Sequence, residues 1–457
     1  MSASVCRLRE VEAPIHIIGG GLAGSEAAWQ IAEGGLTAVL HEMRPLHSTP
    51  AHQTDRLAEL VCSNSLKSEQ EGSAPWLLKQ ELRRLGSAVL SAAVKARVPG
   101  GQALTVDRDV FSAEVTRAIA SHPRIEIRRE EVREVPASGI AGITIIATGP
   151  LTSDALAEEI ARLTGSSRLF FYDSISPIVE ADSVDQSIAF RASRYGKSLD
   201  GTADYLNCPL DRPQYEAFVD ALLAAQPVSS HFAADVPYFE ACLPIEELAR
   251  RGRDTLRFGP MKPMGLIDPR TGCRPWAAVQ LRQENLRADS FNLVGFQNHL
   301  KFGEQARILR MIPSLEQAEF LRFGQIHRNT YINAPALLAP TLQLRTRPEI
   351  LFAGQISGVE GYVEAIATGL AAGRHAVELA SGGSPRPFPR ETALGSLCHY
   401  ISGADSRNYQ PANITFDLLP QLDEPTRQML RHDKRARHAE VCRRAAAALD
   451  GHLDAHV

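Results

Sequence analysis

The sequence predicts an α/β protein whose first domain is interrupted by a smaller inserted α+β domain. Between Pro14 and Glu42 an apolar run, a glycine turn, an alanine-rich helix and a second apolar run follow one another, which is the order of a βαβ unit. The apolar run GITIIATG at 142–149 reads as a buried parallel strand. The same pattern of strand, glycine turn and long helix returns at 349–382. We therefore expect one sheet built from two distant parts of the chain.

The stretch between these parts has a different character. Short strands broken by Gly and Pro follow Pro150, and the runs AAVQLRQE and FNLVGFQNHL are expected to pair as antiparallel neighbours. A helix is expected at 111–120, a strand at 125–132 and a second helix at 303–312. We predict the first part of the split domain over 1–170, the inserted substrate or RNA domain over 171–329, and the second part, with a basic C-terminal tail, over 330–457.

Composition excludes several classes of protein. The 457 residues include 49 Lys+Arg against 53 Asp+Glu, with 44% apolar residues, which is typical of a globular chain and gives no global attraction to polyanions. The seven cysteines are scattered without a C-x-x-C pair, so we expect no disulfide framework and a reduced, cytoplasmic protein. No apolar run has the length of a signal peptide core or membrane span, and no histidine pattern predicts a metal site.

The glycine turn carries the sharpest local signal. Gly19-x-Gly21-x-x-Gly24 follows a strand and opens a helix, and Glu42 ends the next strand. Such glycines allow close backbone approach to a pyrophosphate at the helix N-terminus, and the acidic residue can accept hydrogen bonds from a ribose. The sequence predicts a dinucleotide site at Gly19, Gly20, Gly21, Leu22, Ala23, Gly24 and Glu42.

Two later segments favour FAD over NAD as the resident dinucleotide. The strand ending in Thr148 and Gly149 and the run LFAGQ at 351–355 are similar to the second and third cofactor contacts of two-dinucleotide-fold flavoproteins. Many such proteins have an acidic residue where this chain has Gln355. A helix starting near Val359 would point its N-terminus at the flavin, and Tyr362 either stacks on the flavin or is an ordinary core or surface tyrosine. We predict a Rossmann-like FAD-binding domain of the glutathione-reductase type, with contacts from Thr148, Gly149, Gly354, Gln355 and Tyr362.

Two cysteines stand in contexts that suit a reactive thiol. Cys62 lies in the polar run LVCSNSLKS near a lysine, and it is either a thiolate or a small buried apolar residue. Cys242 precedes a helix that we expect Pro244 to begin, so the helix dipole would stabilise its thiolate, while Glu246 and Glu247 would oppose that effect. A structural role for Cys242 is the alternative, and the other cysteines are read as structural.

Ordered blocks spread over about residues 14–415 resemble the folate- and FAD-dependent tRNA (uracil-5-)-methyltransferases. They are IIGGGLAGSEAAWQIA, HEMRP, LVCSNSLKS, VDRDVF, IIATGPLTS, YLNCP, FEACLPIEELARRG, FGPMKPMGL, VQLRQEN, NLVGFQNHLKFGEQ, HRNTYINAP and LFAGQISGVEGYVEA. The resemblance implies that uridine 54 in the T loop of tRNA receives a methyl group whose carbon comes from 5,10-methylenetetrahydrofolate. The hydride would come from NADH or NADPH through FAD. It also implies Cys62 as the thiol that adds to uracil C6 and Cys242 as the assisting thiol or base. The expected partner is the T arm of tRNA, with no membrane and no obligatory protein partner.

Other functions stay open at this point. The same chemistry on a ribosomal RNA uridine would leave nearly the same motifs, whereas a plain FAD:NAD(P)H oxidoreductase predicts a second GxGxxG, which the chain lacks. A non-catalytic RNA-binding flavoprotein would need no reactive thiol. Residues 250–310 carry 12 Lys+Arg against 5 Asp+Glu, and 427–444 carry 7 against 2. These segments are either solvated faces or the positive surface that an RNA requires.

Overall fold

A computed structural model describes residues 13–49, 51–136, 142–165, 169–199, 201–228, 243–407 and 409–455, without the side chains of 169–174 and 326–328. Its strands form two six-stranded sheets, a three-stranded sheet and a two-stranded pair. In chain order the strands are β1 Ile15–Ile18, β2 Ala38–Glu42, β3 Ser65–Ser68, β4 Arg97–Val98, β5 Ala103–Val106, β6 Ile125–Arg129, β7 Thr144–Ile146, β8 Leu169–Ser174, β9 Ile178–Glu180, β10 Phe190–Arg191, β11 Tyr205–Leu210, β12 Ala277–Gln283, β13 Ser290–Leu293, β14 Phe320–Arg322, β15 Ile326–Tyr331, β16 Gln343–Leu344 and β17 Arg347–Phe352.

The helices range from single turns to six turns. In chain order they are α1 Leu22–Glu33, α2 Ala74–Arg84, α3 Ala88–Lys95, α4 Arg108–Ala120, α5 Asp154–Thr164, α6 Arg212–Ala224, α7 Ile245–Arg250, α8 Thr255–Phe258, α9 Phe302–Leu309, α10 Ala334–Leu337, α11 Tyr362–Ala380, α12 Ala393–Gly403, α13 Glu424–Met429 and α14 Lys434–Asp454. None of the helices in the described ranges is long and apolar enough to cross a membrane.

The first sheet confirms the predicted α/β class. Its order is β16-β17-β7-β1-β2-β6, and β1 pairs in parallel with both β2 and β7. β17 comes from the far end of the chain and pairs in parallel with β7. The strands are apolar because helices cover the sheet, and Ile17, Leu40, Ile145 and Phe352 are all fully buried. Helices α1 and α11 pack against each other beside this sheet. Two distant parts of the chain therefore share one core.

The second sheet lies between those two parts of the chain. Its order is β10-β11-β12-β13-β9-β14 with antiparallel pairing throughout. The predicted pairing of AAVQLRQE with the next apolar run is confirmed, since Leu281 lies opposite Leu293. Apolar residues of α6, α7 and α9 join the strands in a separate core that includes Phe218 and Phe296. The numerical domain boundaries given above stay a prediction.

Element boundaries differ from expectation where caps and glycines decide them. Helix α4 begins at Arg108 because the Asp107 carboxylate accepts the first free N–H groups. Helix α11 begins at Tyr362 instead of near Val359, because Gly358 and Gly361 adopt φ of +88° and +114°. Pro244 stands at the N-cap of α7 and not at its first helical position.

The basic segment near the C-terminus is largely helical. It falls within α13 and α14, and α14 packs on α2 through buried Ala445 and Leu449. An ion pair of 3.2 Å joins Arg84 of α2 to Asp450. Packing on α2 fixes the position of α14 relative to the first sheet.

Candidate active site

One cavity gathers the residues predicted to bind a dinucleotide. It opens beyond the carboxyl ends of β1, β2, β7 and β17, the edge at which open α/β sheets bind ligands. We call it the cofactor cavity. Every predicted cofactor residue except Gly24 lines it, and so does Cys62. The predicted residues on its wall are Gly19, Gly20, Gly21, Leu22, Ala23, Glu42, Cys62, Thr148, Gly149, Gly354, Gln355 and Tyr362.

The glycine turn is shaped by backbone packing on one side and by open space on the other. Gly19 has φ of +109°, and a Cβ there would lie 2.6 Å from the Ala147 carbonyl oxygen. A Cβ on Gly24 would lie 1.8 Å from the Gly19 carbonyl oxygen, so glycine at this position allows α1 to pack closely against the turn. A Cβ on Gly21 would meet no atom within 4 Å. The free space in front of Gly21, at the start of α1, fits a pyrophosphate.

Glu42 is held in the cavity wall by a dense set of donors. Its carboxylate accepts from the Gly20 backbone N–H at 3.0 Å, and from the Arg44 N–H and Nε at 2.9 Å each. Burial alone would raise the pKa of Glu42, but the hydrogen bonds and charge of Arg44 outweigh it and hold the pKa below its ordinary value. A fixed, ionised carboxylate at this strand end suits a ribose, and that role stays a prediction.

The second predicted contact presents open backbone to the cavity, and the third is a glycine turn packed closely against Ala23. Gly149 has φ of +64°, and a Cβ there would meet no atom within 4 Å. Gly354 has φ of +76°, and the amide of Gln355 donates to the Glu360 carboxylate at 2.8 Å. The turn before α11 is thereby fixed. Together with the first glycine turn, these features fit an extended dinucleotide such as FAD, although the contacts themselves stay predictions.

The backbone around Cys62 is fixed by two distant side chains. We call residues 60–64 the Cys62 loop. The Tyr362 hydroxyl oxygen accepts from the backbone N–H groups of Cys62 at 2.9 Å and Ser63 at 3.2 Å. Arg108 donates to the carbonyl oxygens of Leu60 at 2.5 Å and Cys62 at 2.9 Å. The hydroxyl of Tyr362 thus holds the loop, and stacking of its ring on a flavin stays a prediction.

Strand β12 of the second sheet is hydrogen-bonded to the same loop. The Asn64 amide donates to the Gln283 carbonyl at 3.0 Å and accepts from Arg282 Nε at 2.8 Å. Arg108 Nε donates to the Glu284 carboxylate at 2.7 Å. Helices α4 and α11 and strand β12 of the second sheet therefore meet at the Cys62 loop, with its cysteine on the cavity wall.

The surroundings of Cys62 carry an excess of positive charge. The guanidinium groups of Arg108, Arg282 and Arg322 all interact electrostatically with Cys62, while Glu284 is the carboxylate among their partners. Burial lowers the pKa of Arg282 and Arg322. Burial acts the same way on Arg108, but Glu284 outweighs it and raises the pKa of that guanidinium. Because guanidinium groups keep their proton in proteins, this cluster favours an anion at or beside the thiol.

Sequence reasoning identified Cys62 but missed the residues that hold it. Arg108 lies in the quoted block VDRDVF, and Arg282 lies in VQLRQEN. The strand pattern AAVQLRQ gave no sign that Arg282 is buried, although all seven residues of β12 are buried in the structure. A buried arginine requires partners, which the sequence does not name.

Cys242 lies outside the described residues, so its position relative to Cys62 stays untested. Nearby, the buried Glu246 accepts from the His299 backbone N–H at 2.9 Å, and its carboxylate lies 3.0 Å from His299 Nδ1. Burial raises the pKa of Glu246 to about 7.

Among the other cysteines, two have the character expected of structural residues. Cys208 and Cys398 are buried, and burial raises the pKa of each thiol to about 12. Cys273 is exposed, lies between α8 and β12, and does not line the cofactor cavity. These three residues provide controls for experiments on Cys62.

The basic segment at 250–310 has exposed arginines, and part of their positive charge is paired with carboxylates. Arg250 forms an ion pair with Glu247, and Arg253 pairs with Asp220 at 2.5 Å. Phe258 in the same region is 81% exposed. Exposed ion pairs contribute little to stability, so these arginines can exchange their partners for phosphates. A role in RNA binding stays a prediction.

The fold and the cavity together define a dinucleotide-binding α/β protein of the FAD-binding type, with a cysteine on the wall of its cofactor cavity. The sequence profile described as "Glucose inhibited division protein A" matches residues 14–384. Two solved structures of Aquifex aeolicus GidA, in two crystal forms, each superpose with a TM-score of 0.69 at 16% identity. In the form II crystal the match covers 96% of this chain and 73% of the other, which establishes likeness of fold.

Curated relatives are much closer in sequence. A protein of Solibacter usitatus named methylenetetrahydrofolate--tRNA-(uracil-5-)-methyltransferase TrmFO is 73% identical over 445 residues, covering 97% of this chain and 99% of the relative. The protein of the same name from Koribacter versatilis is 62% identical, covering 96% and 98%. The chain belongs to the TrmFO family of methylenetetrahydrofolate--tRNA-(uracil-5-)-methyltransferases.

Proposed function

We propose that this chain methylates C5 of a uridine in tRNA, with 5,10-methylenetetrahydrofolate as carbon donor and FAD as bound cofactor. The relatives that carry this name match nearly the full length of the chain. The observation that carries the proposal is the placement of Cys62 on the wall of the cofactor cavity. A plain flavin oxidoreductase would not need a thiol at that position, in a loop whose backbone is hydrogen-bonded to Tyr362 and Arg108.

The chain's own residues suit the activation of uracil. C5 of uracil is a poor nucleophile, so a thiolate that adds to C6 must first create a ring with enolate character. The guanidinium groups of Arg108, Arg282 and Arg322 favour both the thiolate and a ring that gains negative charge. FAD, when bound, supplies the redox chemistry that completes the methyl group. The protein positions the thiol and the ring and stabilises the charge.

We assign the addition to C6 to Cys62 and the assisting thiol or base to Cys242. In this assignment Cys242 removes the proton from C5 after the carbon–carbon bond has formed. Cys62→Ala should keep FAD but lose both methylation and the covalent adduct with 5-fluorouracil RNA. Cys273→Ala is the matched control, because it removes an exposed thiol away from the cavity. A normal adduct yield in Cys62→Ala would overturn the assignment.

The activity itself is tested with the purified protein, NADH or NADPH, labelled methylenetetrahydrofolate and unmodified tRNA. We expect labelled 5-methyluridine at T-loop position 54 and none in a transcript that has cytidine there. Parallel reactions with ribosomal RNA show whether tRNA or ribosomal RNA is the substrate. Reactions with NADH alone and with NADPH alone show which of them is the reductant. Label arriving from S-adenosylmethionine, or no label in any RNA, would contradict the proposal.

The RNA-binding surface is proposed at the basic segment that contains Arg250, Arg251 and Arg253. Reversing these charges should weaken tRNA binding and reduce its dependence on salt, because fewer counterions are released. FAD should stay bound. Charge reversal at Arg407, an exposed arginine paired with Asp405, is the control. Equal loss of tRNA binding in the control would place the surface elsewhere.

A further inference from the structure

Asn329 is a buried amide on the wall of the cofactor cavity whose hydrogen-bonding capacity is unused. It lies in β15 and is 1% exposed. Its side-chain oxygen has no hydrogen-bond partner among the described residues. A buried amide oxygen left unpaired is costly, so proteins rarely keep one without a use. Because Asn329 also lines the cavity, a ligand can supply the missing partner.

The position of Asn329 is fixed by its neighbours in the chain. The backbone N–H of Thr330 donates to the Pro150 carbonyl at 3.0 Å, directly after the predicted contact at Thr148 and Gly149. β15 also pairs with β8 in register, with Asn329 opposite Phe171. The amide is therefore held at the cavity by two backbone elements and does not depend on a mobile loop.

The cofactor cavity is lined by a second side-chain amide. Gln297 also lines the cofactor cavity, and its backbone carbonyl is fixed by the Ile245 N–H at 2.8 Å. Gln297 is half-buried, and its side chain makes no hydrogen bond to another residue in the part of the chain that the structure describes. Each carboxamide offers one acceptor and a pair of donors in a plane. Such a group is complementary to a ring edge where N–H and C=O stand side by side.

We propose that Asn329, assisted by Gln297, binds the lactam edge of a flat heterocycle in this cavity. The Asn329 oxygen accepts from the ring N–H, and its NH₂ donates to the adjacent ring carbonyl. The inference rests on the proposed function, because the flavin, the pterin of the folate and the target uracil all present this edge. Asn329 is thus a binding residue, and the three sources are separated by experiment.

The test uses Asn329→Leu in the FAD-containing protein. Leucine has the same branched shape and number of heavy atoms and no polar atoms, so it removes the unpaired amide without opening a space. Three ligands are measured: FAD retention by flavin fluorescence, KM for methylenetetrahydrofolate at saturating tRNA, and KM for tRNA at saturating folate. The loss of two neutral hydrogen bonds should weaken one of them about ten- to hundred-fold. Asn329→Asp keeps the acceptor but not the donors, so it should weaken the same ligand.

Asn292→Leu is the matched control. Asn292 is also buried and has an unpartnered amide nitrogen, but it lies in β13 and away from the cavity. It should leave all three ligands unchanged. The inference is overturned if Asn329→Leu leaves all three unchanged, since the amide then binds only solvent. It is also overturned if FAD is retained while the thermal midpoint falls and both KM values rise together in both Asn329 variants, as expected of a structural residue. If the wild-type protein makes no 5-methyluridine, the proposed function fails, whereas FAD retention still tests Asn329.

Discussion

Removing one hydroxyl group from Tyr362 tests how the Cys62 loop is held. Tyr362→Phe keeps the aromatic ring but removes the hydroxyl. In the wild type this hydroxyl accepts from the backbone N–H groups of Cys62 and Ser63 at 2.9 and 3.2 Å, so both groups lose their acceptor. Each buried donor left unpaired costs about 1–3 kcal/mol. Cys62 and Ser63 are only half-buried, so water can reach part of the loop. We expect the free energy of unfolding to fall by about 2 kcal/mol, near the low end for two such bonds.

The functional effect should exceed the effect on stability. A loop that samples several positions presents the thiol correctly for a smaller fraction of the time, so kcat for methylation should fall about ten-fold or more. FAD should stay bound because the aromatic ring remains. Chemical denaturation, single-turnover methylation and the rate of Cys62 alkylation by iodoacetamide together measure the change.

Tyr205→Phe provides the control for this experiment. The Tyr205 hydroxyl donates to the Gly100 carbonyl at 2.9 Å and lies away from the cofactor cavity. Its loss should cost a comparable amount of stability with no change in methylation. Wild-type kcat and alkylation kinetics in Tyr362→Phe would refute the idea that this hydroxyl positions the loop.

Three further predictions concern the glycine turn, the Arg108 contacts and a buried carboxyl. Gly24→Ala should abolish flavin absorbance in the purified protein, because the new methyl group would lie 1.8 Å from the Gly19 carbonyl oxygen; normal flavin content would contradict this. Arg108→Lys keeps the charge but not the planar fork, so kcat should fall while FAD stays bound, and an unchanged kcat would show that charge alone suffices. Burial raises the pKa of Glu81 from 4.5 to about 8, so the folded protein keeps a proton that the unfolded chain releases. That stabilisation is complete below about pH 4.5 and is lost as the pH rises towards 8, by at most about 1.4 kcal/mol per pH unit. Denaturation at several pH values should show this slope in the wild type and a flatter one in Glu81→Gln.

The sequence alone determined the elements whose signals are local. The strand, the glycine turn and the helix at 15–33 follow from apolar runs and from glycine spacing, and Glu42 follows from the length of the unit. Strand β7 and the buried end of β17 at 350–352 were visible because buried parallel strands are apolar on both faces. The first residues of α4 and α11 were predicted less accurately. The cap at Asp107 determines where α4 begins, and the backbone conformation of Gly361 determines where α11 begins. Cys62 was identifiable as a candidate thiol from its polar neighbours.

Only the tertiary structure decided what surrounds that thiol. Cys62 and its partner Tyr362 are 300 residues apart, and Arg108 and Glu284 are 176 apart. Neither separation appears as a helix or strand period in the sequence, because these contacts join α11 to the Cys62 loop and α4 to the residue that follows β12. The unused amide of Asn329 was equally invisible, since a residue's lack of a partner is defined only once every neighbour has been placed. The sequence specifies which groups carry the chemistry, and packing of distant segments determines which of them face one cavity.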